Sequence, residues 1–260
     1  MSILNTGLLI FLLFFTLVVF DLLIIRKLLK VYRLKKITVN LYFLMAFICV
    51  FAGSAVIGIY SFLFSFTQAL PSYHSTFNDV LLLRSLLMIG IAICTVALIF
   101  INFFSFENTF PEHKKPLMVL VTISGTLFVT ILVIANINGL LGGNLAIIQS
   151  GYSYYSIQIV VLALIFILPS IISTPSVFFY YAKQVRKMNE GWANRSVVFG
   201  IAFLLTSIGF IVGNLFSGDE VTYVLLTLAG ISLILIGAIM LYFCVVMPNW
   251  FKKLIKWEDD

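Results

Sequence analysis

From its amino end the chain alternates between long apolar runs and short polar connections. Seven runs stand out: Leu4–Ile25, Val39–Phe64, Val80–Ile101, Leu117–Asn136, Ser156–Tyr181, Val197–Phe216 and Val221–Met247. A helix crosses a hydrocarbon layer about 30 Å thick with about 20 apolar residues, and each run reaches that length. A transmembrane barrel strand needs only about 9–11 residues and alternates strictly between faces. These runs are too long and lack the alternation. The pattern predicts an all-α membrane protein: a seven-transmembrane-helix bundle over 1–247, then a short tail at 248–260.

The polar connections carry the second signal. Fifteen of the sixteen Lys and Arg residues lie on alternate connections. Arg26, Lys27, Lys30, Arg33, Lys35 and Lys36 follow the first run, and Lys114 and Lys115 the third. Lys183, Arg186, Lys187 and Arg195 follow the fifth, and Lys252, Lys253 and Lys256 the seventh. The intervening connections (66–78, 139–155 and 217–220) carry none. Basic residues stay on the cytoplasmic side of a membrane. The N-terminus is therefore expected outside, the C-terminus inside, and the number of spans odd. The first run is expected to be an uncleaved anchor, because its basic residues follow the apolar stretch, whereas a signal peptide places them before it.

Composition narrows the class further. Of 260 residues 62 % are hydrophobic and 10 % charged, with mean hydropathy +1.15. Soluble domains are about 45–50 % apolar and about 25 % charged, and disordered chains need low hydrophobicity and high charge, so both classes are excluded. The formal charge of +6 comes from the basic connections. Each basic side chain near an anionic leaflet contributes about 1 kcal/mol of attraction. No nucleic-acid-binding motif accompanies the charge. The expected partner is the lipid bilayer of a cell membrane, not nucleic acid.

The tail Asn249–Lys256 reads as a short amphipathic helix in the headgroup plane. At 100° per residue Trp250, Phe251, Leu254, Ile255 and Trp257 share one arc, with Lys252, Lys253 and Lys256 on the other. Pro248 separates it from the seventh run. Small residues mark where helices approach closely: Gly209 and Gly213 form a GxxxG, and Ser54 and Gly58 a small-xxx-small pair. They imply packing within the bundle or, for helix 6, a homodimer. Pro169 and Pro175 interrupt the fifth run. Each proline removes a backbone hydrogen bond and bends a helix. Ser170, Ser173, Thr174 and Ser176 can re-satisfy the freed carbonyls. The result is either a static kink or a hinge.

An intramembrane charge costs about 2.5–3.5 kcal/mol on insertion scales and marks function by default. Arg84 is the one basic residue away from the basic connections, with Asp79 beside it at the outer end of the third run. Two readings stay open. One is a structural ion pair tying helix 3 to the turn at Asp219 and Glu220. The other is the floor of an outward-facing pocket for an anionic or polar ligand, completed by Asn136, Gln158, Asn214 and Tyr223. The glycine-rich connection 137–155, with Tyr152, Tyr154 and Tyr155, is either a mobile lid or part of an aromatic belt. Asp21, close in sequence to Arg26, is expected to be a neutralised interfacial residue.

Catalysis is not expected. The two histidines, His74 and His113, fall on opposite sides, and there is no HExxH, GxSxG or GxGD. Cys49, Cys94 and Cys244 lie within the apolar runs with no CxxC spacing, so neither a structural metal nor a disulfide framework is expected. The seventh run has no lysine for a retinal Schiff base. No cofactor is expected.

The connection Phe103–Pro116, FFSFENTFPEHKKP, is aromatic, then acidic, then basic before the next span. In this and in its seven-span plan the chain resembles prokaryotic seven-transmembrane-helix sensor modules, such as the N-terminal regions of some histidine kinases. The resemblance implies a receptor-like protein that binds a small ligand from the outer face and signals to a separate cytoplasmic partner through the inner loops, Trp192 or the tail. Two other readings remain: a small-solute transporter or channel, and a non-catalytic accessory subunit.

Overall fold

The computed structural model describes the backbone of residues 3–69, 77–149, 152–214 and 220–257, and the side chains of residues 9–64, 79–146, 155–213 and 225–257. Seven helices are long and apolar enough to cross a membrane: α1 Ile3–Lys35, α2 Thr38–Ala69, α3 Phe77–Thr109, α4 Lys114–Leu140, α5 Ile157–Val185, α6 Glu190–Asn214 and α7 Glu220–Val246. A short α8 covers Asn249–Leu254. Neighbours in sequence pack side by side, α1 closes the ring against α7, and α3 reaches across the interior to α5. The bundle thus has a basic end, carrying the Lys- and Arg-rich connections, and an opposite end whose connections carry no Lys or Arg.

Several helices outrun the apolar segments that announce them. At 1.5 Å per residue, α1 is about 50 Å long, well beyond the hydrocarbon thickness. Its last turns carry the basic cluster. Hydropathy marks where a helix meets lipid, and intrahelical hydrogen bonding continues past that point. At the basic end α1 and α7 stop at residues in the left-handed conformation, Lys36 (φ 46°) and Met247 (φ 56°). Their N–H groups close on Tyr32 O and Phe243 O at 2.7 and 2.9 Å, which satisfies carbonyls of the last turn. Pro248, with φ −63° and ψ 152°, then turns the chain into α8.

The connection 137–155 is not the open glycine loop that its composition suggests. Ala146–Gln149 and Tyr152–Tyr155 form an antiparallel hairpin (β1 and β2) in register Ala146↔Tyr155 to Gln149↔Tyr152. The hairpin is fastened to the end of α4. Asn138 Oδ1 accepts from Leu145 N–H at 2.9 Å, and Ser156 N–H donates to Leu145 O at 3.0 Å. Ala146 is fully buried against the cluster formed by α2, α3, α4 and α5.

Small residues set the helix spacing. A Cβ on Gly230 of α7 would stand 2.6 Å from Gly209 O and 2.7 Å from Gly213 N. The GxxxG of α6 therefore packs against α7 of the same chain. A Cβ on Gly58 would meet Phe14 of α1 at 3.2 Å. The α2–α3 contact rests on a pair not anticipated, Gly53 and Gly90: a Cβ on Gly53 would lie 3.1 Å from Gly90 O.

The tail departs from the single apolar arc expected of it. Phe251 and Ile255 are buried in the core cluster at the basic end, while Trp250 and Leu254 face outward. The helical arc is split because α8 lies against α6 and α7 of its own bundle. Asn194 Nδ2 donates to Ile255 O at 3.1 Å, Lys256 pairs with Glu190 at 2.8 Å, and the Trp192 and Trp257 rings approach to 4.8 Å. Lys252 and Lys253 carry the basic edge.

Candidate functional site

Among the described residues, two cavities within the ring are formed by side chains of several helices. The central one, about 120 Å³, lies among α1, α2, α3, α5, α6 and α7. Its wall is mostly apolar: Phe14 and Leu17 from α1, Leu87 from α3, Ile171 from α5, Phe210 from α6 and Ile231 from α7. Space of that size exceeds what one water needs. Three hydroxyls on the wall are satisfied by their own helix. Ser61, Thr95 and Thr206 each donate to the carbonyl four residues back at 2.9 Å. Two are not: Tyr60 Oη and Thr227 Oγ1 are buried without a hydrogen-bond partner among the described residues. Ser54, buried in α2, also lines the space.

Below it, toward the basic end, a vestibule of about 310 Å³ is lined by Asn40, Asn108, Tyr181, Trp192 and Arg195 among others. The Arg195 guanidinium donates from Nε to Cys244 O at 3.1 Å and sits 5.4–5.7 Å from the ring centres of Trp192, Phe199 and Trp257. Aromatic faces attract a cation in this geometry. The connection Phe103–Pro116 borders this end: Glu107 pairs with Lys114 at 2.6 Å, and Phe110 stacks on Tyr180 at 5.5 Å.

Between the cavities α3 and α5 are cross-linked by a polar node. Asn102 is fully buried. Its Nδ2 donates to Leu98 O at 2.9 Å and to Ser170 O at 2.8 Å. Its Oδ1 accepts from Thr174 Oγ1 at 3.0 Å and from the Ser173 hydroxyl. Proline at 169 and 175 cannot donate to the carbonyls of Ile165 and Ile171. The carbonyls next along, Phe166 and Ser170, take side-chain donors from neighbouring helices: Ser124 of α4 and Asn102 of α3. Helix α5 remains continuous across both prolines. Of the serines and threonines expected to rescue it, Ser170 donates to Val121 O and Ser173 to Ser170 O, both at 3.4 Å.

Of the residues that the sequence grouped into an outer ligand site, none of the described side chains lines either cavity. Arg84 is buried, 2 % exposed, in the second turn of α3, but lines neither cavity. Asp79 is half-buried in the first turn of the same helix. Asn136 is 3 % exposed and donates from Nδ2 to Leu132 O and Tyr155 Oη at 2.8 Å and to Met88 Sδ at 3.2 Å. It thereby ties α4 to the hairpin and to α3. Its Oδ1 has no hydrogen-bond partner among the described residues. Gln158 is exposed on the first turn of α5. The side chains of Asn214 and Tyr223 lie outside the described residues, as do Asp219 and the side chain of Glu220. Asp21 also departs from expectation. It is 1 % exposed, whereas Arg26 faces outward.

No group of three metal-ligating side chains is found among the described residues. Comparison of the chain with protein-family models, with curated proteins and with solved structures finds no match.

Proposed function

We propose that this chain is a receptor-like multi-pass protein of a cell membrane that binds a small, mostly apolar molecule in the central cavity. A separate cytoplasmic partner reads the bound state at the basic end. The orientation follows from the basic connections: N-terminus outside, C-terminus inside. The observation that carries the reading is an apolar space lined by six helices, with the buried hydroxyls of Tyr60 and Thr227 beside it and without a hydrogen-bond partner among the described residues. Small-molecule sites have this character, a largely apolar wall with a few polar groups that fix orientation. The ligand class follows: a lipid-soluble molecule with one or two hydrogen-bonding groups. An anionic ligand held by Arg84 is not favoured, because Arg84 lies off the cavity wall.

The route outward runs through α5. Ile171 touches the cavity, and its carbonyl is the one that Pro175 leaves without a donor. The adjacent Ser170 carbonyl is held by Asn102. A ligand pressing on Ile171 would bias the kink and with it Val177, Phe178 and Tyr181, which line the vestibule. A ligand shifts such an equilibrium only by its differential affinity for the two states.

The test uses the full chain in lipid nanodiscs, with indole and benzyl alcohol as probes. Either probe should raise the unfolding temperature in a concentration-dependent way, and Ala97→Leu, which fills the cavity wall, should remove the effect. An equal shift in that variant would overturn the reading. So would uptake of polar solutes into proteoliposomes above the leak of empty vesicles, which would identify a transporter.

A further inference from the structure

Asp21 is the one acidic residue within the apolar run of α1. It lies on the inward stripe Leu17, Asp21, Ile24 and Leu28, all buried. Leu17 lines the central cavity and Leu28 the vestibule. At 1.5 Å per residue Asp21 stands about 6 Å below the first and about 10 Å above the second. It therefore stands between the central cavity and the vestibule along α1.

Neither carboxyl oxygen of Asp21 has a hydrogen-bond partner among the described residues. Arg26 is five residues on, about 140° around the helix, and exposed. Among the described residues, the Cys94 thiol of α3 lies within electrostatic reach of Asp21. From α7, the Tyr242 ring packs against Phe20, the neighbour of Asp21 in sequence, at 5.5 Å. Neither is a cation. Burying an ionised, unpaired carboxylate costs several kcal/mol even after relaxation, and neutralisation by a proton removes most of that cost. Intramembrane acids of this kind mark proton pathways.

We propose that Asp21 is a proton-binding site. Its carboxyl is protonated at neutral pH while the bundle holds this conformation. It gives up the proton only when a rearrangement brings water from one of the two cavities to it. The proton moves between carboxyl and water, with no other bond changed. This inference stands independently of the ligand proposed above.

The experiment is infrared spectroscopy of the full chain in nanodiscs at neutral pH. Wild type should show a carboxylic-acid carbonyl band distinct from the carboxylate bands. The band should move when aspartate carries a side-chain carbon-13 label, and vanish in Asp21→Asn. Absence of the band in wild type would overturn the proposal, as would its persistence in Asp21→Asn. Should Asp21→Asn fail to fold, the labelled double variant Asp79→Asn/Asp219→Asn decides. A band that survives there supports Asp21, and a band lost there overturns it.

Discussion

The side-chain amide of Asn102 on α3 donates a 2.8 Å hydrogen bond to the backbone carbonyl of Ser170 on α5. That carbonyl adjoins the one that Pro175 leaves without a donor, so the bond fixes the helix where its own ladder is weakest. Interhelical hydrogen bonds in membranes average about 0.6 kcal/mol and reach about 1.7. Asn102 makes three across the helix pair, counting those from Ser173 and Thr174. Asn102→Leu should therefore lower stability by about 1–3 kcal/mol in detergent unfolding. Asn108→Leu, where the amide bonds only to Phe104 O of its own helix, should change it by less than about 0.5 kcal/mol.

The α6–α7 contact gives a contrast between two glycines. A methyl at Gly230 would collide with backbone atoms of Gly209 and Gly213, which no side-chain rotation relieves. At Gly213 the nearest atom to an added Cβ is 3.8 Å away, ordinary contact. Gly230→Ala should cost about 1–3 kcal/mol by overpacking. Gly213→Ala should be neutral or slightly stabilising, since alanine is favoured over glycine inside a helix by about 0.5–1 kcal/mol. Paired unfolding curves in one detergent check the sign of each.

The seven spans are legible in the sequence because lipid leaves backbone groups no partner but the helix itself, so each crossing must announce itself as a long apolar run. What lies on which face is less legible. The apolar run of the third span ends at Ile101, one residue before Asn102, so hydropathy does not mark this buried, multiply bonded side chain. Closeness in sequence to Arg26 suggests an interfacial Asp21, yet the turn of the helix buries Asp21 and leaves Arg26 exposed. Gln158 shares an end of the bundle with Asn136 but not a face. The hairpin is less legible because glycines at 142, 143 and 151 read as loop, although Ile147, Ile148, Tyr152, Tyr154 and Tyr155 are β-branched or aromatic residues of the kind that strands favour.

The tail is held closely enough for one methyl group to dislodge it. A Cβ on Gly191 would stand 2.7 Å from Lys256 O and 2.9 Å from Trp257 Cα. Gly191→Ala should leave the seven helices intact and lift Trp257 from the Arg195 guanidinium and the Trp192 ring. With Trp192 and Trp250 changed to Phe, the remaining tryptophan reports this directly. Its emission should shift red and its quenching by acrylamide should rise. An unchanged spectrum would mean that the tail tolerates the displacement.

The Tyr60 hydroxyl makes two readouts move in opposite directions. It is buried with no hydrogen-bond partner among the described residues, so Tyr60→Phe breaks no bond and changes volume little. An unsatisfied buried hydroxyl costs about 1–3 kcal/mol. The ligand-free variant should therefore be at least as stable as wild type, by up to about 1–2 kcal/mol. If the hydroxyl anchors the polar group of a cavity ligand, stabilisation by indole or benzyl alcohol should fall at the same time, and Thr227→Val should behave alike. A purely structural hydroxyl would leave the ligand response intact. Lower stability of the unliganded variant would mean that the hydroxyl already has a partner in the folded protein, which removes the observation on which the cavity's polar specificity rests.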